Sequence, residues 1–183
     1  MIIITAGHHD KDSGAISPKW GKEADHTKLF RDTLAFYLRR EGVEFWVDND
    51  QWTLGQVIWR GKRVAAQHEK VIAIDWHFNA SGSSQANGCE VVVDDYANNE
   101  TKAIAEKLSW TISNVLKIRN RGVKTERDTY RKKLGYLDTT NVSLVAEIGF
   151  ISNDGDMEAF NNRYWLLAKA VSELLINYIQ VDV

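Results

Sequence analysis

Val71-Ile72-Ala73-Ile74-Asp75-Trp76-His77-Phe78-Asn79-Ala80 is the stretch on which the fold turns. Its apolar start reads as a buried strand, and polar groups arrive where that strand would end. Two further runs share the form. One is Ile2-Ile3-Ile4-Thr5-Ala6-Gly7-His8; the other is Leu144-Val145-Ala146-Glu147-Ile148-Gly149-Phe150-Ile151-Ser152-Asn153. Strands of this kind bury both faces, which requires helices on either side of the sheet. In such open sheets, sites assemble at the carboxyl ends of the strands.

Between these runs lie longer segments of mixed polarity. Residues 22–41 carry a helical stripe through Leu29, Leu34, Phe36, Tyr37 and Leu38 that stops at Gly42. A short strand is expected over 43–47, a second helix from 54 to about 70, and a strand over 89–93. Residues 99–118 repeat Ile104, Leu108, Ile112, Val115 and Leu116 near helical spacing. Residues 119–141 are polar and read as an irregular loop beside the site. Two closing helices are expected, 154–160 and 164–179. The alternation predicts an α/β fold: a single domain over 1–183, with a mostly parallel or mixed twisted sheet and helices on both faces.

Composition narrows the function classes. The 183 residues are 44% hydrophobic, enough for one core. The net charge is −2 and the basic residues are scattered, which argues against a nucleic-acid partner. The single cysteine, Cys89, excludes an internal disulfide and reads as a buried thiol. No run approaches the ~18 apolar residues of a membrane span.

The chemistry gathers on His8, Glu23, His77 and Glu147. Glu147 interrupts an apolar run, and a carboxylate buried without a partner costs several kcal/mol, on the order of 3 or more. It therefore needs a cation or a proton nearby. Imidazole and carboxylate both suit Zn²⁺, and three protein ligands leave a position free for reaction. A further carboxylate can then move a proton. The pattern implies metal-assisted hydrolysis. From the residues alone, His9 competes with His8. Glu23 and His26, three apart on one helix face, form a rival metal pair. His68 sits in a charged stretch and reads as exposed. The chain has no phosphate-binding glycine loop, nucleophile elbow or H-E-x-x-H.

In order and spacing these segments resemble the zinc-dependent N-acetylmuramoyl-L-alanine amidases of the amidase-3 type, known from bacterial autolysins and phage endolysins. Gly7-His8 with Asp12-Ser13-Gly14, Glu23, His77-Phe78-Asn79-Ala80 and Glu147-Ile148-Gly149-Phe150-Ile151-Ser152-Asn153 carry the resemblance, which runs from residue 2 to about 180. Gly88-Cys89-Glu90 and Arg121-Gly122-Val123-Lys124 are similar to weaker family segments.

The resemblance implies that His8, Glu23 and His77 bind Zn²⁺ and that Glu147 is the catalytic base, against His9 and His26. It implies hydrolysis of the bond between the lactyl group of N-acetylmuramic acid and L-alanine, with peptidoglycan or a muropeptide as substrate; a monomer is the expected acting form. Asn79 and Trp76 flank His77 as candidate substrate contacts, Trp76 by stacking on a sugar face. Two readings rival this one: a zinc carboxypeptidase-like peptidase on stem peptides, and a non-catalytic wall-binding module. The first usually has its leading ligands close together as His-x-x-Glu; the second has no need of a buried base.

The chain also departs from the family. His9-Asp10 stand where glycines are usual, and Val47-Asp48-Asn49-Asp50 replace a common Thr-Arg, so substrate preference is expected to differ. Regulated members insert an inhibitory helix after the His-x-Asn-Ala motif. Here that stretch is 81–88, which predicts an open site. No basic and apolar leader precedes the strand at residue 2. The expected location is the cytoplasm of the producing cell, with access to the wall after membrane permeabilisation.

Overall fold

Strand β1 (Ile2–Ala6) is buried at every position and lies between two parallel neighbours, β4 (Phe45–Val47) and β5 (Ile72–Asn79). Residues 1–180 are described by the computed structural model, so residues 181–183 of the expected domain fall outside it. On its other edge β5 pairs in parallel with β8 (Ser143–Phe150), which pairs antiparallel with β6 (Cys89–Val93). β7 (Asn120–Thr125) closes that edge in parallel with β6. The six-stranded sheet, ordered β4-β1-β5-β8-β6-β7, is therefore mixed. A small hairpin, β2 (Ile16–Ser17) with β3 (Gly21–Lys22), stands apart from it.

Helices cover both faces, as the apolar strands demand. On one face, α1 (Glu23–Arg40), α3 (Asn99–Leu116) and α4 (Asp154–Gln180) supply Phe30, Leu34, Leu108, Ile112, Phe160 and Val171. These meet Ile2, Ile4, Ile72, Ile74, Trp76 and Phe78 of the strands. The opposite face is thinner. There Val57 of α2 (Leu54–Ala65), with Tyr136 and Leu137 from a 3₁₀ turn, packs on Ile3, Ala73, Val92 and Val145. No helix among the described residues is long and apolar enough to cross a membrane.

Local chemistry sets the helix ends. Asn98 caps α3 by accepting from Thr101 N at 2.7 Å. At the end of α1, Gly42 takes φ +67°, with Gly42 N donating to Arg39 O and Val43 N to Leu38 O. That pair of bonds satisfies carbonyls which the last turn leaves free.

Two expectations need correction. Residues 119–141 are not wholly irregular, because Asn120–Thr125 form β7. This is an edge strand whose side chains stay half-buried, so it carries polar residues without cost and shows no apolar run. The two closing helices are one, Asp154–Gln180. Asn161 and Asn162 are weak helix formers, but the stretch Asn161-Asn162-Arg163 contains no glycine or proline. Flanking Phe160 and Tyr164 pack against the core and carry the helix through.

Candidate active site

Alternation along the strands decides which side chains reach the site. Successive residues point to opposite faces, so Asp75 and His77 of β5 share the face that carries α2, while Trp76 and Phe78 share the other. Register then aligns three acidic or basic groups in a row: His77 stands opposite Glu147 of β8, and Glu147 opposite Glu90 of β6. The register between β5 and β8 shifts between His77 and Asn79, which re-aims the strand end.

Beyond β1 the chain turns sharply. His8 adopts φ +76°, an uncommon state for a residue with a side chain, and His9 and Asp12 exchange backbone hydrogen bonds around a tight turn. Gly7 and Gly14 leave room for the imidazoles and the carboxylate of the site. A Cβ on Gly7 would strike the His77 ring, and one on Gly14 would fall 2.5 Å from His8 Cδ2 and 2.7 Å from Glu23 Oε2. Gly14 also sits at φ +63°.

Glu23, the first residue of α1, is the hub. It is only 3% exposed, with Oε1 accepting from Phe78 N at 2.9 Å and Oε2 from Ala15 N at 3.0 Å. His77 Nδ1 lies 3.1 Å from Oε1, and His8 Nε2 lies 3.1 Å from Oε2. The two imidazoles meet edge to face with centroids 5.1 Å apart. Each ring is held from behind by a second carboxylate: His8 Nδ1 by Asp12 at 3.0 Å and His77 Nε2 by Asp75 at 3.0 Å. Thr5 Oγ1 in turn donates to Asp75 at 2.6 Å.

This donor set fits a divalent cation. One ligand atom each from His8, Glu23 and His77 lies within 4.8 Å of the others. A tetrahedral ion with bonds near 2.0–2.1 Å holds its ligands about 3.3 Å apart, so the 3.1 Å nitrogen–oxygen spacings need little adjustment. The rear carboxylates orient the rings so that His8 Nε2 and His77 Nδ1 face the hub, an arrangement common around ligating histidines. A metal ion can therefore be held here.

The electrostatics agree. Burial works to raise the Glu23 carboxyl, yet His77 and His8 overcome it and hold Glu23 well below the usual carboxylate range. For His77, burial lowers the pKa, but the Asp75 and Glu23 carboxylates outweigh it and leave it well above its ordinary value. His8 moves up for the same reason, burial opposed by Glu23 and Asp12. Glu147 goes the other way. Burial pushes it up to about 7, opposed by His77 and reinforced by the negative charges of Glu23 and Glu90. Its Oε2 is buried without a hydrogen-bond partner, an oxygen that calls for a proton donor or a cation.

The other expected residues separate clearly. Asn79 lies at the end of β5 and donates through Nδ2 to Glu90 Oε1 at 2.8 Å, next to Glu147. Trp76 does not line the site. It is wholly buried against Phe30, centroids 4.7 Å apart, because its place between Asp75 and His77 turns it to the opposite face. His26 is also elsewhere, bonded to Trp20 O at 2.7 Å and packed on Phe78 and Phe160.

Four residues that sequence reasoning did not assign complete the surroundings. Asp75 and Asp12 hold the histidine rings. Glu90 is clamped by Arg121 at 2.7 Å, and Arg121 stacks over Phe150. The distal motif also acquires a structural role. Asp156 Oδ2 accepts from Phe150 N and Gly88 N, Ser152 Oγ accepts from Ser81 N, and Asn153 Nδ2 donates to Ser84 O. Gly149 permits this, since a Cβ there would lie 3.1 Å from that of Asp156. The end of β8 is thereby tied to the loop after β5.

Comparison with known proteins gives this arrangement relatives. Residues 2–177 match the family model described as N-acetylmuramoyl-L-alanine amidase. The uncharacterized protein YqiI of Bacillus subtilis is 30% identical over 161 residues, covering 86% of this chain and 73% of that protein. N-acetylmuramoyl-L-alanine amidase LytC of the same organism is 29% identical over 188 residues, which covers 97% of this chain but only 35% of LytC. The catalytic domain of CwlV, an N-acetylmuramoyl-L-alanine amidase from Bacillus (Paenibacillus) polymyxa var. colistinus, shares the fold. Its TM-score is 0.81 at 22% identity, over 99% of this chain and 98% of that one. With a family match that spans nearly all of its length, the chain belongs to the N-acetylmuramoyl-L-alanine amidase family.

Proposed function

We propose that this chain hydrolyses the amide bond between the lactyl group of N-acetylmuramic acid and L-alanine in peptidoglycan, with zinc held by His8, Glu23 and His77. The observation that carries the reading is the unpartnered, buried Oε2 of Glu147 beside the three-residue donor set. A wall-binding module has no use for a carboxyl group held at about 7.

Zinc bound there would supply Lewis acidity, polarising the amide carbonyl and easing the deprotonation of water. The remaining chemistry falls to the chain's own residues. Glu147 takes the proton as water adds to the lactyl carbonyl carbon, then returns it to the nitrogen of L-alanine as the carbon–nitrogen bond breaks. A carboxyl group can perform both transfers, accepting the proton and then giving it up. Asp12 and Asp75 keep the two imidazoles aimed inward, and the backbone N–H groups of Ala15 and Phe78 fix Glu23. Asn79, tied to Glu90 beside Glu147, is the polar group placed to meet substrate at that edge.

The test is mass spectrometry of products from defined muropeptides and the zinc-loaded protein. Equal release of free muramoyl lactate and of stem peptides with L-alanine amino termini is expected. Cleavage inside the stem peptide would replace this reading with a peptidase, and intact substrate would leave a binding module.

A further inference from the structure

The face of the sheet that carries His77 and Glu147 also carries α2, and α2 bears an unusual surface. Between Leu54 and Ala65 it has Arg60, Lys62 and Arg63 and no acidic residue, in a chain whose net charge is −2. None of these three cations has a carboxylate within ion-pair distance among the described residues. Instead the guanidiniums lie against indoles. Arg60 sits 4.2 Å from the Trp52 ring and 5.7 Å from that of Trp59, and Arg63 lies 4.9 Å from Trp59. Trp52 itself stacks on Trp46, with centroids 6.0 Å apart and planes 18° from parallel. The result is a ladder, Trp46–Trp52–Arg60–Trp59–Arg63, whose outer ring, Trp59, is 56% exposed.

The ladder is continuous with the site. Trp52 lies in the loop after β4, and Asp50 O in that loop accepts from Asp10 N at 2.8 Å. Asp10 belongs to the turn that carries His8. Arg31 fastens the same loop through Asp48 at 3.0 Å and Asp50 at 2.7 Å. The loop that bears Trp52 is thus tied to the turn that carries His8.

We propose that this ladder is a second glycan-binding surface, whose occupant is a peptidoglycan strand already stripped of its stem peptides. The inference rests on the hydrolysis proposed above, because that reaction leaves each muramic acid with a free lactyl carboxylate. Exposed indole suits the C–H faces of pyranose rings. Unpaired guanidiniums suit the carboxylates that line a stripped strand, and such pairing is bidentate and screened by salt. Intact strands, with their lactyl groups in amide linkage, lack those anions along the glycan itself; their carboxylates sit out on the stem peptides. The surface therefore favours product glycan, holding the enzyme on the strand it is clearing. A polyol-phosphate polymer offers the charge without the sugar faces. A bilayer offers neither pyranose faces for Trp59 nor a regular row of carboxylates for Arg60 and Arg63.

The experiment is equilibrium binding of the zinc-loaded chain to purified, peptide-free glycan strands, at low and at physiological ionic strength. Binding that weakens with salt is expected. Trp59→Ala and Arg63→Gln should each raise Kd about tenfold, the scale of one well-placed aromatic or guanidinium contact. Trp110→Ala, which alters another exposed tryptophan on α3, should leave Kd unchanged. Amidation of the strand's lactyl carboxylates should weaken binding as much as Arg63→Gln does. Equal affinity of wild type and both ladder variants would overturn the proposal. So would capture only by walls that retain teichoic acid, or capture by vesicles of anionic lipid in place of glycan. Cleavage of soluble muramoyl peptides separates the two readings. A chain that cuts them but does not hold stripped strands refutes this inference alone, and one that holds strands without cutting refutes the hydrolysis alone.

Discussion

Replacing Glu147 with glutamine should cost activity and return stability, and the two effects should separate with pH. The side chain keeps its size and loses its charge. Burial lifts its carboxyl from 4.5 to about 7 in the metal-free protein, so folding favours its protonated form. A raised carboxyl pKa is a penalty on the ionised state. It is absent below the unfolded value near 4.5, grows as pH rises, and is complete above about 7. At roughly 1.4 kcal/mol per unit, the rise from 4.5 to about 7 amounts to about 3.5 kcal/mol. Metal-free Glu147→Gln should therefore gain about that much on the wild type between pH 4 and pH 8, or roughly 7–14 °C in Tm for a chain of this size. Any fixed cost of burying the amide does not vary with pH, so the slope is the readout. Paired thermal melts in the presence of a chelator measure it. With zinc restored, the variant should keep its metal and lose about 10²–10⁴ in turnover, the usual share of a general base. A stability difference that stays flat across this range would show that Glu147 is not strained by its burial. A loss of turnover below about tenfold would show that it is not the base.

Other outcomes depend on the surroundings of the cluster. Asp75→Asn removes the charge behind His77 Nε2 and should weaken zinc by about 10–100-fold in chelator competition; unchanged affinity would mean the 3.0 Å contact does not orient the ring. Cys89 is wholly buried, and burial pushes its thiol up to about 12, so the native protein should not react with a thiol-exchange reagent. One thiol per chain should appear on unfolding, and rapid native labelling would contradict the packing. Residues 80–88 between β5 and β6 contain no helix, so the purified zinc-loaded chain should cut muropeptides without an activating protein; a strict need for one would mean that something else covers the site.

The strands were legible wherever both faces are buried. Ile2–Ala6 and Cys89–Val93 are enclosed at every position, and nothing but apolar residues and one threonine or glutamate can stand there. Asn120–Thr125 was not legible, because an edge strand with half-exposed side chains imposes no such restriction. The break expected between residues 160 and 164 is absent, although Asn161 and Asn162 are weak helix formers. Tertiary packing of Phe160 and Tyr164 overrides a propensity worth only a few tenths of a kcal/mol, about 0.5 per residue. Glu23 shows a different limit. Its sequence context is that of a solvated residue at a helix start, and only the three-dimensional meeting of α1 with the ends of β1 and β5 buries it.

One physical rule accounts for both the misplaced tryptophan and the unassigned aspartate. Trp76 attracted attention by adjacency to His77, but adjacent residues on a strand face opposite ways, and the core takes the indole. Asp75, two positions before His77, must face the same way, and there it meets the ring at 3.0 Å. A carboxylate in an apolar strand is costly unless a partner is fixed beside it. A strand that spends such a residue two places before a histidine therefore already indicates which group orients that histidine. The same parity places Thr5, Glu147 and Glu90 on that face, in the strands flanking β5 and one beyond. Once Asp75 and His77 are read as a pair two residues apart, the sheet register alone brings Glu147 beside them, so strand alternation sets the sheet's share of the site while His8 and Glu23 arrive from the loop after β1 and from α1.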